Sequence, residues 1–208
     1  MVDKKAHWQN LYREQDPTDL SWHQSEPGLS LQLIHHSGIG RDEAIIDVGG
    51  GASLLVDCLC KEGFSNLAVL DISRGALAFA KQRLGDAAAG IEWFEADVTE
   101  FIPPHHYSLW HDRAVFHFLT DSTERKRYIE ALKLALRPNG HLIIAAFAIG
   151  GPEKCSGLDI VQYDAGKLRS ELGKGFVLME QRDELHITPS GAEQQFTYYR
   201  FTKAETSG

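Results

Sequence analysis

The 208-residue sequence predicts an α/β fold, a doubly wound and mostly parallel sheet with helices on both faces. Three observations carry this expectation. Short apolar or β-branched runs alternate with helix-like stretches from residue 44 to residue 147. The first of these runs ends in Gly49, Gly50 and Gly51, and the second ends in an acid, Asp71. The C-terminal part supplies two further runs with Gly191 between them, the pattern of an antiparallel hairpin that closes a parallel sheet without a crossover helix.

Along the chain, residues 1–40 form a mixed N-terminal segment. Residues 44–48 read as the first strand, and the helix that follows, 53–61, is closed by Gly63. Residues 67–71 read as the second strand, feeding a helix that Ser73 caps and that runs toward Leu84. Residues 91–95 and 107–112 are the third and fourth strands, and 122–136 is a long amphipathic helix. After Pro138-Asn139-Gly140 comes a fifth strand, 141–147. A helix near 165–172 and strands near 176–183 and 194–202 complete the series.

With 43% hydrophobic residues the chain can bury one sizeable core but is too short for two full domains. One domain over 1–208 is expected, with the sheet in 41–203. No stretch approaches the roughly 20 apolar residues of a membrane span. The start, Met-Val-Asp-Lys-Lys, leads into no secretory apolar region, so a cytoplasmic address is expected. Cys58, Cys60 and Cys155 are odd in number and lack zinc-like spacing, which points to reduced thiols. His35-His36 and His105-His106 have no third ligand at suitable spacing, and no metal site is expected. The net charge of −8 is spread along the chain without a basic stripe, which disfavours nucleic acid as partner.

Asp47-Val48-Gly49-Gly50-Gly51 falls at the carboxyl end of the first strand, where open α/β sheets bind ligands. Glycines there let backbone approach a ligand closely. Asp71, twenty positions past Gly51, stands where a carboxylate can accept hydrogen bonds from both ribose hydroxyls of an adenosine. A second reading of Asp71 is a charge at a helix N-terminus beside Ser73. A nicotinamide dinucleotide site would need G-x-G-x-x-G/A, and Leu54 occupies the third position. No G-K-[ST] follows the glycine turn, so a nucleoside triphosphatase has little support.

These residues resemble the class I S-adenosylmethionine (SAM)-dependent methyltransferases, strongly over about 45–147 and in outline beyond. The resemblance implies a Rossmann-like seven-stranded sheet with a C-terminal antiparallel hairpin and an N-terminal helical lid. It implies in-line transfer of a methyl group from SAM to a sulfur, oxygen or nitrogen nucleophile, leaving S-adenosylhomocysteine. By position, Asp47, Gly49, Gly50 and Gly51 would lie under the methionine part. Asp71 and Ile72 would hold the ribose, and Asp97 and Val98 would approach the adenine amino group. Where the family usually has a third small residue, glycine, this chain has Ser53, which can cap the following helix.

The family places substrate and methyl group near the end of strand four, where Trp110 to Leu119 is dense in functional side chains. Asp112, Arg113 and His117 are candidates for contacting cofactor or substrate; Asp112 and Arg113 could instead form a structural ion pair. His117 is the first candidate general base and His186 the second, against readings as a core and a turn histidine. Trp22 and His23 would line the site if the N-terminal segment folds over it, or the aromatics pack on the sheet. Cys155 is either a pocket residue or a buried thiol. The N-P-P-Y or D-P-P-Y of adenine and glutamine methylation is absent; Pro103-Pro104 precedes strand four.

A small-molecule acceptor is the leading expectation for so compact and acidic a chain. Trp8-x-x-x-Tyr12 and Gly63-Phe64-Ser65-Asn66-Leu67 also look like lysine methyltransferases acting on translation factors, so a protein lysine is the alternative acceptor. A non-catalytic SAM-binding module is the third reading. A monomer or homodimer is expected.

Overall fold

The computed structural model describes residues 3–205. Seven strands form the main sheet: β1 (Ile45–Val48), β2 (Leu67–Asp71), β3 (Ile91–Glu95), β4 (Tyr107–Arg113), β5 (Leu136–Phe147), and the long hairpin β8 (Phe176–Ile187) and β9 (Glu193–Lys203). Between β5 and β8 a small separate hairpin pairs β6 (Lys154–Cys155) with β7 (Leu158–Asp159). The sheet order is β3-β2-β1-β4-β5-β9-β8. All pairings through β5 are parallel, while β9 runs antiparallel to both β5 and β8. After β1 the chain steps outward to β2 and β3, then returns to place β4 on the other side of β1. The carboxyl ends of β1 and β4 therefore flank the switch point, where an open sheet leaves a crevice.

Strand alternation divides the core in two. Ile46, Val48 and Trp110 face one side, against Tyr128 and Leu132 of α5 (Ser122–Ala135) and Leu168 and Leu172 of α6 (Ala165–Leu172). Ile45, Val69 and Leu109 face the other, against Leu33 and Ile34 of α2 (Gly28–Ser37), Leu55 and Leu59 of α3 (Leu55–Lys61), and Leu77 of α4 (Arg74–Leu84). The N-terminal helix α1 (Lys4–Glu14) is capped by Asp3, whose carboxylate accepts from the amide of Ala6 at 2.9 Å. It docks on α4 through Gln9, whose side-chain oxygen accepts from Ser73 Oγ and the Gly75 amide.

Three elements differ from the sequence reading. The fifth strand, expected only after Pro138-Asn139-Gly140, starts earlier and takes those residues inside β5: Asn139 takes φ 60° and the register with β4 jumps from Tyr107↔Leu136 to Leu109↔His141. A proline lacking its N–H and a left-handed asparagine suit a bulge as well as a turn. The first helix of the sheet starts at Leu55 rather than residue 53, with Ser53 Oγ accepting the Leu55 amide at 3.0 Å. The β6–β7 hairpin was not foreseen; its two-residue loop, Ser156-Gly157, has φ 51° and 78°, the conformation of primed hairpin turns. Among the described residues no helix is long and apolar enough to cross a membrane.

Candidate active site

The crevice is built from the glycine turn upward. Leaving β1, Gly49 turns at φ 69°, where a side chain would be strained and a Cβ would collide with Val115. Gly51 sits so close to β2 that a Cβ would lie 2.5 Å from the Ala76 Cβ and 2.6 Å from Asp71 Oδ2. Bare of side chain, Gly51 donates its amide to Asp71 Oδ2 at 3.0 Å, and the Ser73 amide donates to Oδ1 at 2.7 Å. Asp71 is thus clamped by backbone at the mouth of the crevice. Burial pushes its pKa up to about 6, against the pull of those amides. The reading of Asp71 as a charge at a helix N-terminus is met here, because Ser73, whose amide it accepts, caps α4 through the Ala76 amide.

A cavity opens over these residues. Its lining joins Asp71, Ile72, Asp97 and Val98 with Val48 and Gly49, with Trp8, Tyr12, Trp22, Phe118 and Cys155, and with the cations Lys4 and Arg113. The rings of Trp8 and Trp22 meet edge to face at 5.5 Å, and Trp8 meets Phe118 at 5.1 Å. Tyr12, Trp22, Val48, Gly49 and Arg113 are shared with a narrower recess whose lining also includes Asp47, Gly50, Ser53, His23 and His111. Gly51 lines neither space; its amide acts on Asp71 instead.

Arg113 does not pair with Asp112, because neighbours on β4 point to opposite faces. Its guanidinium donates to Tyr198 Oη at 2.7 Å and to the Trp22 carbonyl at 2.9 Å, approaches Glu184 at 3.4 Å, and lies 4.5 Å from the centre of the Phe196 ring. Gln24 donates to the other oxygen of Glu184 at 3.0 Å. The N-terminal segment is thereby fastened to the β8–β9 hairpin, with Trp22 held as part of the cavity wall. His186 adds to this fastening, donating from Nε2 to the Ser21 carbonyl at 2.8 Å.

Three expected catalytic groups lie outside the cavity walls. His186 spends its ring proton on Ser21, and burial lowers its pKa. Asp112 is fully buried on the α5 face, accepting from the amides of Val115 and Phe116 and, at 2.6 Å, from Tyr128 Oη. It anchors the chain leaving β4 rather than facing a ligand. His117 is fully buried between Phe118 and Phe147, neither ring nitrogen has a hydrogen-bond partner, and burial drives its pKa down to about 3. With its ring sealed from the cavity and its basicity lowered by burial, His117 is not placed to take a proton from a ligand there. His117→Leu is therefore expected to keep kcat within about threefold of wild type, or about 0.6 kcal/mol of barrier; steady-state assays check this.

Of the remaining candidates, Cys155 does line the cavity, with its thiol pKa raised by burial, and His23 lines the recess. The sequence reading missed Phe118 as a wall and missed the pairing of His111 with Asp47, Nδ1 to Oδ1 at 2.7 Å. The signal for that pairing was the alternation that puts residues 109, 111 and 113 on one face of β4, but only the sheet order brings β1 alongside.

Residues 45–140 match the family model described as a methyltransferase domain. Over 159 residues the chain is 23% identical to EEF1A lysine methyltransferase 2 of zebrafish (Danio rerio), spanning 68% of this chain and 67% of that protein. It is similar to the structure of N-methyltransferase NodS from Bradyrhizobium japonicum WM9 in complex with S-adenosylhomocysteine, at 20% identity and a TM-score of 0.70 over 96% of this chain and 99% of that one. It is also similar to 1,6-didemethyltoxoflavin-N1-methyltransferase of Burkholderia thailandensis with bound 1,6-didemethyltoxoflavin and S-adenosylhomocysteine, at 17% identity and a TM-score of 0.66 over 85% and 77% of the two chains. The crevice fits such a ligand: Asp71 offers a held carboxylate to a diol, glycine clears the approach, and Asp47 Oδ2 is buried without a partner, suited to a cation. With the domain match, the strand order and this crevice on one chain, the protein carries a methyltransferase domain on a Rossmann-like sheet, with a crevice that fits S-adenosylmethionine.

Proposed function

We propose that the protein methylates a sulfur, oxygen or nitrogen atom of a small-molecule acceptor. The observation that carries this is the aromatic share of the cavity's lining. Trp8, Tyr12, Trp22, Phe118 and Cys155 line the cavity beside the cations Lys4 and Arg113, and Asp71 and Asp97 are its two carboxylates. An aromatic lining under a fastened N-terminal segment suits a small acceptor with apolar surface to bury. A protein lysine would call for an open, acidic groove.

In this reading Asp71 and Ile72 hold the ribose, with Gly51 acting through Asp71. Asp97 and Val98 meet the adenine, and Asp47, Gly49 and Gly50 meet the methionine end. Bound there, SAM supplies an electrophilic methyl carbon on its sulfonium. The chain's own contribution is to orient the acceptor and keep water out; such positioning is worth up to about 7–11 kcal/mol in well-oriented systems. Burial raises the pKa of both Tyr12 and Cys155, so neither is a ready proton acceptor at neutral pH. This favours acceptors that are nucleophilic unaided, thiolates foremost. The free cysteines accord with a cytoplasmic address.

The zebrafish relative favours a second reading, transfer to a protein lysine. Incubation with methyl-labelled SAM, a panel of thiols, amines and hydroxy acids, and cell lysate separates the two. Label on a small acceptor is expected. Label on a protein band instead would move the assignment to lysine, and tight SAM binding without any transfer would overturn both.

A further inference from the structure

We propose that His111 is a positioning residue for the cofactor's amino-acid end, acting through Asp47; the inference rests on the assignment of that end to the narrower recess. The parallel register sets Asp47 of β1 directly beside His111 of β4, so both side chains leave the sheet on the same face. Nδ1 meets Asp47 Oδ1 at 2.7 Å, and Nε2 meets Ser30 Oγ, on α2, at 2.9 Å. Ser30, His111 and Asp47 are 1%, 2% and 3% exposed, so water does not stand in for any of these partners. Whether the ring is neutral, with Ser30 donating to Nε2, or charged, with Nε2 donating to Ser30, Nδ1 carries the proton that Asp47 accepts.

One oxygen of Asp47 is fixed in this way, and the other, Oδ2, is buried without a hydrogen-bond partner. Both Asp47 and His111 line the recess, beside Gly49 and Gly50. A side chain at residue 50 would collide with Oδ2, so the glycine preserves the space in which that oxygen lies. A buried carboxylate with one satisfied and one open oxygen suits a cation that arrives with the ligand, and the amino-acid end of SAM carries an α-ammonium. The direction of the open oxygen is set by the bond to His111. Since Ser30 holds the far side of the ring, the seating of α2 is tied to the same carboxylate.

Calorimetry with two ligands tests this. S-Adenosylhomocysteine carries the amino-acid end, whereas 5′-methylthioadenosine keeps the adenosine and lacks it. His111→Leu should raise the Kd for S-adenosylhomocysteine about 10-fold, a loss of about 1.4 kcal/mol. Ser30→Ala should raise it about threefold, and His111→Asn, whose amide can donate near the Nδ1 position, should recover part of the loss. The Kd for 5′-methylthioadenosine should stay within about twofold throughout. If His111→Leu does not fold, Ser30→Ala and His111→Asn carry the comparison. Equal weakening of both ligands would make His111 merely structural, and unchanged S-adenosylhomocysteine affinity in all variants would overturn the proposal. Wild-type protein that binds neither ligand would instead overturn the cofactor assignment beneath it.

Discussion

Replacing Asp71 with alanine is expected to weaken SAM binding about 100-fold, a loss of about 2.7 kcal/mol. The size follows from the geometry: amides of Gly51 and Ser73 already fix the carboxylate, so no ordering is needed when two ribose hydroxyls donate to it. Hydrogen bonds to a charged group are worth about 1.5–3 kcal/mol, and the variant loses the acceptor for both. A pH dependence accompanies this. The Asp71 pKa of the ligand-free protein is about 6, and the ionised form is the better acceptor. Affinity should therefore be highest above pH 6 and fall as pH drops through it, to about tenfold weaker at pH 5 than at pH 7. The sign for stability is opposite. A carboxyl held above its ordinary value of 3.8 costs the fold stability at neutral pH, and that cost is relieved as pH falls from about 6 toward 4. Calorimetric Kd values across pH 5–8 should show this slope in wild type and lose it in Asp71→Ala; the same slope in the variant would place the titrating group elsewhere.

The second large effect is on stability. Asp112→Ala removes the acceptor for two backbone amides and for Tyr128 Oη, all in the dry interior between β4 and α5. Tyr128 is itself the acceptor for Trp110 Nε1 at 2.9 Å, so the loss propagates along a buried chain of bonds. A cost of about 3–5 kcal/mol is expected, and with about 2–4 °C per kcal/mol for a chain of this size the melting temperature should fall by roughly 6–20 °C. Urea denaturation should show the same change as a lower midpoint. A variant with wild-type melting but abolished turnover would return Asp112 to the catalytic group.

The fold was legible where local chemistry punctuates the chain. The glycines after β1, the acid ending β2 and the β-branched runs between helices are signals within a few residues of one another. Helix α1 was not delimited, since it buries no residue fully and is held by tertiary partners such as Ser73 and Gly75 bonding to Gln9. Strands β6 and β7, two residues each, are too short to carry a period. Of the residues that line the cavity, Gly49 and Asp71 were singled out because they end strands at a fixed spacing, and Asp97 because of the family resemblance. Asp112, His117 and His186 were read as catalytic from residue type and neighbourhood. Alternation on β4 sends Asp112 away from the cavity, and the turn after it buries His117 among aromatics. The partners of Arg113 and His111 lie 64 to 91 residues away in the chain, a distance that only the topology closes.

The central claim is that an adenosine is gripped between the glycine turn and the carboxylate of residue 71, and isothermal titration tests it most directly. Titration with S-adenosylhomocysteine should release or absorb measurable heat with one site per chain, and NADH should give none. Saturable binding of NADH with silence toward S-adenosylhomocysteine would contradict the account.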